Sequence, residues 1–301
     1  MNLKYTLQLN PERHGPMPES FSPKSTFLSL LKSLLADYVH KTRYGSVRIK
    51  RKWGAGSLSG IIHRATPEED FLTSLDLKGK TVYDIGGFIG LLSVVFAKAV
   101  GQTGKVIVFE PNEENHAQLL ETLRVNRVDN VRVLKLGISD TKGKEQPFIV
   151  HENFGATGSL DQEIQSQIVK TGRFKHLHID VDTLDNAVAT YGLPKPDFIK
   201  IDIEGMEYQA LLGMTEILRT GSPQFHIEIH GADQLSKREN IGRIVAFLES
   251  QGYLIWHVET RQDIHSDNSV IAREGHIFCK RPKSLLAHNI CSVRQTCTRS
   301  L

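Results

Sequence analysis

Cysteine is scarce in this sequence, and the few cysteines present all fall late in the chain. The 301 residues include Cys279, Cys291 and Cys297, and none of them forms a C-x-x-C pair. Three cysteines near one end are too few to hold a fold together by disulfide bonds. Their scarcity excludes a disulfide scaffold and predicts a reducing compartment.

Long hydrophobic runs are also lacking. No apolar run approaches the ~20 residues that a membrane-spanning helix needs. The N-terminal segment MNLKYTLQLNPERHGPMPES has no apolar core of the kind found in signal peptides. We therefore expect a cytoplasmic protein with no membrane span.

An excess of charge of one sign is absent as well. Lys+Arg 37 against Asp+Glu 34 gives a formal net charge of 37 − 34 = +3, so a nucleic-acid partner is not expected. Hydrophobic residues at 40% and charged residues at 24% are ordinary for a globular protein and exclude collagen-like and disordered classes. At roughly 150 residues per domain, this length indicates one large domain or two small ones.

The sequence divides into three regions. Residues 1–75 combine a proline-rich arm, an amphipathic helix that begins near Ser25, and a basic stretch at 41–52. We interpret the basic stretch as the solvated face of a strand or hairpin rather than a surface for an anionic ligand. Residues 76–282 are predicted to form an α/β domain, and residues 283–301 are expected to be a loose tail.

Short β-branched strands alternate with helices from residue 80 onward. Helices are predicted at 90–100, at 113–125 with Asn112 as N-cap, at 206–219, and after a capping box at 236–239. Two extra strands are predicted near 146–150 and 176–181. Seven strands of a main sheet are predicted at 81–85, 105–110, 131–136, 198–203, 224–230, 253–258 and 275–280. This alternation predicts a mostly parallel sheet with helices on both faces.

A glycine-rich turn follows the first of these strands. The segment DIGGFIG at 84–90 supplies Gly86, Gly87 and Gly90, which permit a tight turn and close approach of the backbone to a ligand. Glu110 ends the next strand, and its carboxylate suits the two ribose hydroxyls of a nucleoside cofactor. Asp84 would repel a pyrophosphate but attract the sulfonium and ammonium groups of S-adenosylmethionine, so it favours this methyl donor over NAD.

Carboxylates and a histidine follow two later strands. Asp202 and Glu204 lie where the carboxyl end of a strand meets the ligand side of an open α/β sheet, and they could take a proton or orient a hydroxyl. His230 ends the next strand, on the same face as Glu228, and is a candidate general base or a structural histidine. Glu207 is interpreted as favouring the N-terminus of the following helix. A divalent metal is compatible with Asp202, Glu204 and His230, but the spacing is not diagnostic and no metal site is predicted.

Taken in order, these segments resemble the FkbM family of S-adenosylmethionine-dependent methyltransferases. The resemblance runs over residues 80–258 and rests on several ordered blocks. They are DIGGFIG at 84–90, FEPNEEN at 109–115, LGISD at 136–140, GATGSL at 155–160, VDTLDNAV at 181–188, FIKIDIEGMEYQALLGM at 198–214 and FHIEIHG at 225–231.

The resemblance implies a class I Rossmann-like methyltransferase fold with a seven-stranded sheet. It does not cover residues 1–75, for which the apolar spacing predicts an N-terminal helical extension. It also implies S-adenosylmethionine as cofactor and O-methylation of a hydroxyl on a sugar, glycan or glycosylated small molecule. By position, Asp84, Gly86 and Gly90 would surround the methionine part of the donor, and Glu110 its ribose. The adenine would lie near Asn112, Ser139 and Asp140. A polar loop containing His151, Asn153 and Thr157 would help to form the acceptor pocket.

Phe88 departs from the small or polar residue that family members usually have in the first turn. We interpret it as an apolar wall over the cofactor, whereas in the alternative it crowds the site. Two other functions stay open on the sequence alone. One is an NAD-dependent oxidoreductase, against which stand Asp84 and the absence of a clean G-x-G-x-x-G. The other is a non-catalytic binding protein, in which Phe88 blocks the donor and the basic stretch contacts an anionic partner.

Overall fold

The computed structural model describes residues 37–50, 66–152 and 158–282. The amphipathic helix predicted near Ser25, the loop residues Asn153 and Thr157, and the tail at 283–301 lie outside the described residues. Among the helices that are described, none combines the length and the apolar character needed to cross a bilayer.

A mixed sheet forms the centre of the described residues. The strands from β11 to β5 pair in parallel with their neighbours, and antiparallel pairs join the remaining three. The order across the sheet is β13 (Gln262–Ile264), β12 (Leu254–His257), β14 (His276–Lys280), β11 (Gln224–Glu228), β10 (Phe198–Ile201), β3 (Thr81–Ile85), β4 (Lys105–Phe109) and β5 (Val131–Leu134). The predicted α/β fold with a mostly parallel sheet is therefore confirmed.

The number of strands in this sheet differs from the prediction. The sequence predicts seven, and the described residues contain eight, because β13 pairs antiparallel with β12 at the edge. Only Ile264 of its three residues is buried, whereas Gln262 and Asp263 are exposed. A segment this short and polar carries too little alternation of apolar residues to be recognised as a strand.

Helices cover both faces of the sheet. Asn112 is the N-cap of α3 as predicted, since its side chain accepts a hydrogen bond from the backbone of Glu114. The α-helices are α1 (Pro67–Ser74), α2 (Leu91–Val100), α3 (Glu113–Asn126), α4 (Gln162–Lys170), α5 (Leu184–Tyr191), α6 (Glu207–Leu212), α7 (Thr215–Thr220) and α8 (Gln234–Ser250), and a 3₁₀ helix spans Ser269–Ala272.

Two helices begin or end elsewhere than predicted. The single helix expected at 206–219 is divided into α6 and α7. The break falls at Gly213, where an added Cβ would lie 2.0 Å from the backbone oxygen of Ser139, so the chain is pressed against a neighbouring segment there. α8 begins earlier than predicted. The sequence predicts a capping box that starts at Ser236, whereas in the structure Asp233 is the N-cap and Ser236 is the third residue of the helix.

The side chains of the parallel strands alternate between two cores. Tyr83 and Ile85 point into a core with residues of α5 and α8. Val82 points to the opposite face, into a core with residues of α2. Because successive strand residues alternate between the two faces, Asp84 shares the α2 face with Val82. Asp84 thus places a carboxyl group on the α2 face of β3, where the pattern set by Val82 would place an apolar side chain.

A second, smaller sheet lies next to the first. The two strands predicted near 146–150 and 176–181 are confirmed as its central pair, whereas its outer strands were not predicted. Its order is β6 (Gly137–Ile138), β9 (Phe174–Asp182), β7 (Gly143–His151) and β8 (Gly158–Ser159).

The described part of the basic stretch forms a hairpin of β1 (Tyr38–Thr42) and β2 (Gly45–Ile49). Its basic side chains at 41, 43, 48 and 50 are exposed. Val47 and Ile49 are fully buried in the α2 core. These residues thus form a hairpin with exposed basic side chains, and its interpretation as a solvated face rather than a surface for an anionic ligand stays a prediction.

Candidate active site

A cavity of about 400 Å³ opens at the carboxyl ends of β3, β4, β10 and β11. This end of a parallel sheet is where ligands bind in open α/β folds. Its wall contains half of the predicted site residues together with Phe88, namely Asp84, Gly86, Gly87, Phe88, Glu110, Asp202, Glu204 and His230. The structure therefore brings the glycine turn and the acidic cluster together in one space.

The glycine turn is wedged between two neighbouring strand ends. Gly86 has a φ of +84°, and an added Cβ would lie 1.8 Å from the backbone oxygen of Asp202. The backbone N–H groups of Gly86 and Gly87 both donate to the carbonyl of Phe109, at 2.9 and 3.2 Å. Only glycine fits at position 86, because both the left-handed backbone and the close approach exclude a side chain.

Glu110 is held by backbone donors from both sides of the turn. Its Oε2 accepts the N–H of Phe88 and its Oε1 accepts the N–H of Asn112, each at 2.9 Å. Burial raises the pKa of Glu110 to about 7, although these hydrogen bonds lower it. Phe88 has a φ of +48°, unusual for a non-glycine residue, and its ring belongs to the cavity wall.

Lys200 was not assigned a role from the sequence, yet it joins the two halves of the cavity. It lies in register opposite Asp84 on β3. Its Nζ donates to Asp202 Oδ2 at 2.9 Å and lies 3.7 Å from Asp84 Oδ1. Burial lowers the pKa of Lys200, but the carboxylates of Asp202 and Asp84 outweigh it, so the pKa lies above its ordinary value. The signal in the sequence is a lysine inside the otherwise apolar strand FIKI.

Asp84 is fully buried and does not act alone. Its Oδ2 accepts a hydrogen bond from Ser93 Oγ at 2.6 Å, and its Oδ1 has no hydrogen-bond partner among the described residues. Burial raises the pKa of Asp84, and the Lys200 ammonium opposes this shift. Lys200 therefore already places a positive charge beside the Asp84 carboxylate. A cationic donor would share this carboxylate with Lys200, and the attraction between Asp84 and the donor stays a prediction.

His230 lies at the centre of the acidic cluster. Its Nδ1 is 2.9 Å from Oε1 of Glu207, which is fully buried. Its Nε2 faces three carboxylates at longer distances, 3.5 Å to Glu228, 3.8 Å to Asp202 and 3.9 Å to Glu204. Burial lowers the pKa of His230, but the hydrogen bond with Glu207 and the nearby carboxylates of Glu228 and Asp202 raise it well above its ordinary value.

Glu207 therefore contributes to the site by bonding to the far side of the His230 ring. The sequence predicts for it only a favourable charge at the N-terminus of the following helix. Its Oε1 also accepts the backbone N–H of Gly205 at 2.9 Å, and its Oε2 accepts Asn240 Nδ2 at 2.8 Å. A buried carboxylate fixed in this way determines the orientation of the His230 ring.

Glu204 sits on a strained turn at the cavity wall. Its φ is +53°, and such outliers concentrate at functional sites. Ser159 on β8 donates its hydroxyl to the backbone oxygen of Glu204 at 2.6 Å, so the small sheet supports this turn. Burial raises the pKa of Glu204 to about 7, against the lowering effect of His230.

The segment before the glycine turn supplies residues that the sequence did not reveal. His40 of β1 and Glu69 of α1 line the cavity and form a buried hydrogen bond of 2.5 Å. Glu68 also lines the cavity, and its Oε1 lies 3.6 Å from Nε2 of His276. Burial raises the pKa of Glu68 to about 7. Because these residues are far apart in sequence, no local pattern predicts that they meet.

Some predicted residues lie away from the cavity wall. Gly90 begins α2 with a φ of +87° and packs against Leu119. Ser139 is buried and donates its hydroxyl to Asp140. Asn112 is occupied as a helix cap. The described lining residues do not include Gly90, Asn112, Ser139, Asp140 or His151. The polar loop is represented on the wall by Gly158 and Leu160, and Asn153 and Thr157 lie outside the described residues.

Comparison with known proteins supplies a family match. A family model described as the methyltransferase FkbM domain matches residues 84–255, more than half of the chain. No curated protein matches the chain.

Solved structures of methyltransferases are also similar. The methyltransferase FkbM from Methylobacillus flagellatus KT has 18% identity and a TM-score of 0.43, over 77% of this chain and 48% of that one. This chain thus spans about half the length of that protein. TYW2 from M. jannaschii, solved in complex with AdoMet, has 14% identity and a TM-score of 0.42, over 82% of this chain and 87% of that one. A SAM-dependent methyltransferase from Aquifex aeolicus has 16% identity and a TM-score of 0.38, over 71% and 87%.

Proposed function

Because the chain belongs to the FkbM methyltransferase domain family, we propose that it transfers the methyl group of S-adenosylmethionine to a hydroxyl of a sugar, glycan or glycosylated small molecule. One observation carries this proposal. A single cavity holds both the glycine turn with Glu110 and the cluster of Asp202, Glu204 and His230. A donor and an acceptor can therefore meet without a change of fold.

The donor end of the cavity is the turn at 84–90 together with Glu110. In this proposal the Glu110 carboxylate accepts hydrogen bonds from the ribose hydroxyls, with lone pairs that its backbone donors leave unused. The glycine turn lies beside the methionine part of the donor, and Phe88 forms an apolar wall. Asn112, Ser139 and Asp140 stay predictions for the adenine end.

The acceptor end is the cluster around His230. The acceptor oxygen attacks the methyl carbon, a C–O bond forms while the C–S bond breaks, and S-adenosylhomocysteine leaves. The hydroxyl proton passes to Glu204, whose pKa of about 7 suits a general base at neutral pH. Asp202 and His230 orient the hydroxyl, and the largest contribution of the protein is the alignment of the two reactants.

The donor is tested first, by calorimetric titration of the protein with S-adenosylhomocysteine and, as a control, with NAD. We expect S-adenosylhomocysteine alone to bind. Binding of NAD alone would support an oxidoreductase instead. If neither ligand bound, the proposal would fail and the non-catalytic alternative, in which Phe88 blocks the donor, would take its place.

The acceptor end is tested by transfer of labelled methyl to a panel of hydroxylated sugars and glycosides. Glu204→Gln should lower turnover by ~10²–10⁴-fold, because it removes the general base. It should leave the affinity for S-adenosylhomocysteine within about twofold. Glu163→Gln, at an exposed position in the first turn of α4, is the matched control. Full turnover of the Glu204 variant would contradict the assignment of the base.

A further inference from the structure

Three metal-ligating atoms converge at the acceptor end of the cavity. They are Nε2 of His230 and one carboxylate oxygen each from Asp202 and Glu228, and all three lie within 4.8 Å of one another. His230 Nε2 is 3.8 Å from Asp202 Oδ1 and 3.5 Å from Glu228 Oε1. Both distances exceed the ~2.7–3.2 Å of an N–H···O hydrogen bond, so direct bonding is not what sets this spacing.

The spacing suits ligands around a common ion. Two ligand atoms at right angles in an octahedral site, each ~2.0–2.2 Å from the metal, are ~2.8–3.1 Å apart. The Glu228 and Asp202 oxygens lie 3.5 and 3.8 Å from His230 Nε2. An inward movement of each carboxylate by ~0.4–1.0 Å would complete the arrangement.

Two of the three side chains, His230 and Asp202, are also held by a hydrogen bond at their other polar atom. Nδ1 of His230 is bonded to the buried Glu207, which leaves Nε2 free to face the site. Oδ2 of Asp202 accepts a hydrogen bond from Lys200, which leaves Oδ1 free. Oε2 of Glu228 lies 3.6 Å from Nε2 of His276, beyond hydrogen-bond distance, so this carboxylate is positioned by charge attraction alone. Metal-binding side chains are typically oriented by such outer partners.

The cavity also contains carboxyl oxygens that the protein does not satisfy. Asp84 Oδ1 and Glu68 Oε1 are buried without a hydrogen-bond partner among the described residues, and both side chains line the same cavity. Asp84 is fully buried. A bound cation would lower the electrostatic cost of gathering this many carboxylates in one space.

We propose that Asp202, Glu228 and His230 bind a divalent cation of the Mn²⁺ type. One nitrogen and two carboxylate oxygens leave coordination positions open on the cavity side. The role of the cation rests on the proposed function: held by these three residues, it would supply a Lewis acid beside the acceptor hydroxyl. The binding itself does not depend on the identity of the acceptor.

The test is a titration of the full, metal-free chain with Mn²⁺, in which electron paramagnetic resonance measures the concentration of free Mn²⁺. We expect one site in the wild-type protein. Asp202→Asn and Glu228→Gln should each weaken binding at least tenfold. Glu207→Gln should weaken it by ~10–100-fold, because the ligand His230 loses its orienting carboxylate. Glu216→Gln, a change in an exposed carboxylate that pairs with Arg219, should leave binding unchanged.

Thermal unfolding of each variant, followed by circular dichroism, separates loss of a ligand from loss of the fold. No Mn²⁺ binding by the wild-type protein would overturn the proposal. Equal binding by folded Asp202→Asn and Glu228→Gln variants would overturn it too, because the ion would then lie elsewhere. Titration with S-adenosylhomocysteine on the same sample keeps the two proposals apart: failure of the donor alone contradicts the proposed function, and failure of Mn²⁺ alone contradicts the cation site.

Discussion

The two ends of the cavity are built in different ways. At the donor end, the Glu110 carboxylate is bonded by the backbones of Phe88 and Asn112, so a stretch of about 25 residues contains its own hydrogen-bond partners. At the acceptor end, His230 faces Glu228 of its own segment at 3.5 Å and the carboxylates of Asp202 and Glu204, which follow the neighbouring strand, at 3.8 and 3.9 Å. Its hydrogen-bond partner, Glu207, comes from the start of a helix. The Glu110 carboxylate is thus satisfied within its own segment, whereas the acceptor end is assembled from residues that follow two separate strands, and it gathers several carboxylates around one histidine.

This difference explains which residues are visible in a sequence. A turn whose partners lie within one strand–helix–strand unit leaves a contiguous motif. A cluster whose members follow separate strands leaves two short charged segments, 202–207 and 228–230, which are grouped only on the expectation that their strands end at the same edge of the sheet. The junction between the two ends is Gly86, whose backbone lies against that of Asp202.

The largest effect is therefore expected at this junction. Gly86→Ala should reduce the free energy of unfolding by more than about 3 kcal/mol, because its Cβ would overlap a backbone oxygen at 1.8 Å. Gly101→Ala is the matched control: its φ is also positive, +68°, but nothing lies within 4 Å of an added Cβ. That variant should lose only about 1–2 kcal/mol, the cost of a left-handed alanine. Urea denaturation measures both, and equal losses would contradict the tight junction.

A second change acts on the donor end alone. Glu110→Gln should weaken S-adenosylhomocysteine binding by about 10- to 100-fold, the equivalent of ~1.4–2.8 kcal/mol for a charge-assisted pair. It should leave Mn²⁺ binding within about twofold. Calorimetry with each ligand checks the pair of results. Loss of both ligands to the same extent would remove the distinction between the two ends.

The same carboxylate predicts a pH dependence. The pKa of Glu110 is raised to about 7, and ribose hydroxyls bind the ionised form, so affinity should rise with pH through this value. Between pH 8 and pH 6, binding of S-adenosylhomocysteine should weaken by about tenfold, the factor expected one unit below the pKa. In Glu110→Gln this change should disappear. A wild-type affinity that is constant from pH 6 to pH 8 would contradict the assignment.

The smallest effect is expected where the second sheet supports the acceptor end. Ser159→Ala removes the hydroxyl that donates to the Glu204 backbone, and it should cost ~1–2 kcal/mol of unfolding free energy. Ser166→Ala, whose hydroxyl bonds within an exposed turn of α4, should cost less than ~0.5 kcal/mol. Donor affinity should be unchanged in both. A change in S-adenosylhomocysteine affinity in Ser159→Ala would show that the small sheet supports the donor end as well.

Much of the fold could be predicted because its signals are local. The parallel strands, the N-cap Asn112 and the family resemblance, now confirmed by the family match, all rest on short contiguous patterns. The division of the helix at Gly213 could not be predicted, since its cause is the backbone of Ser139 in another segment. A role for Lys200 could not be predicted for a similar reason, because its pairing with Asp84 becomes apparent only once the register of the two strands is known. The site residues assigned from the sequence stay predictions until ligands are tested.

The position of the family match within the sheet has a consequence for any attempt to isolate that part of the chain. The match begins at Asp84, inside β3, and ends at Ile255, inside β12. β14, which follows it in sequence, is inserted between β11 and β12 in the sheet. A fragment cut to 84–255 would leave β11 with an open edge and β12 without its neighbour, and it would lose the buried Val47 and Ile49. The segment that the family model matches is thus shorter than the segment that builds the sheet and its cores. A fragment for expression should therefore include at least residues 37–282.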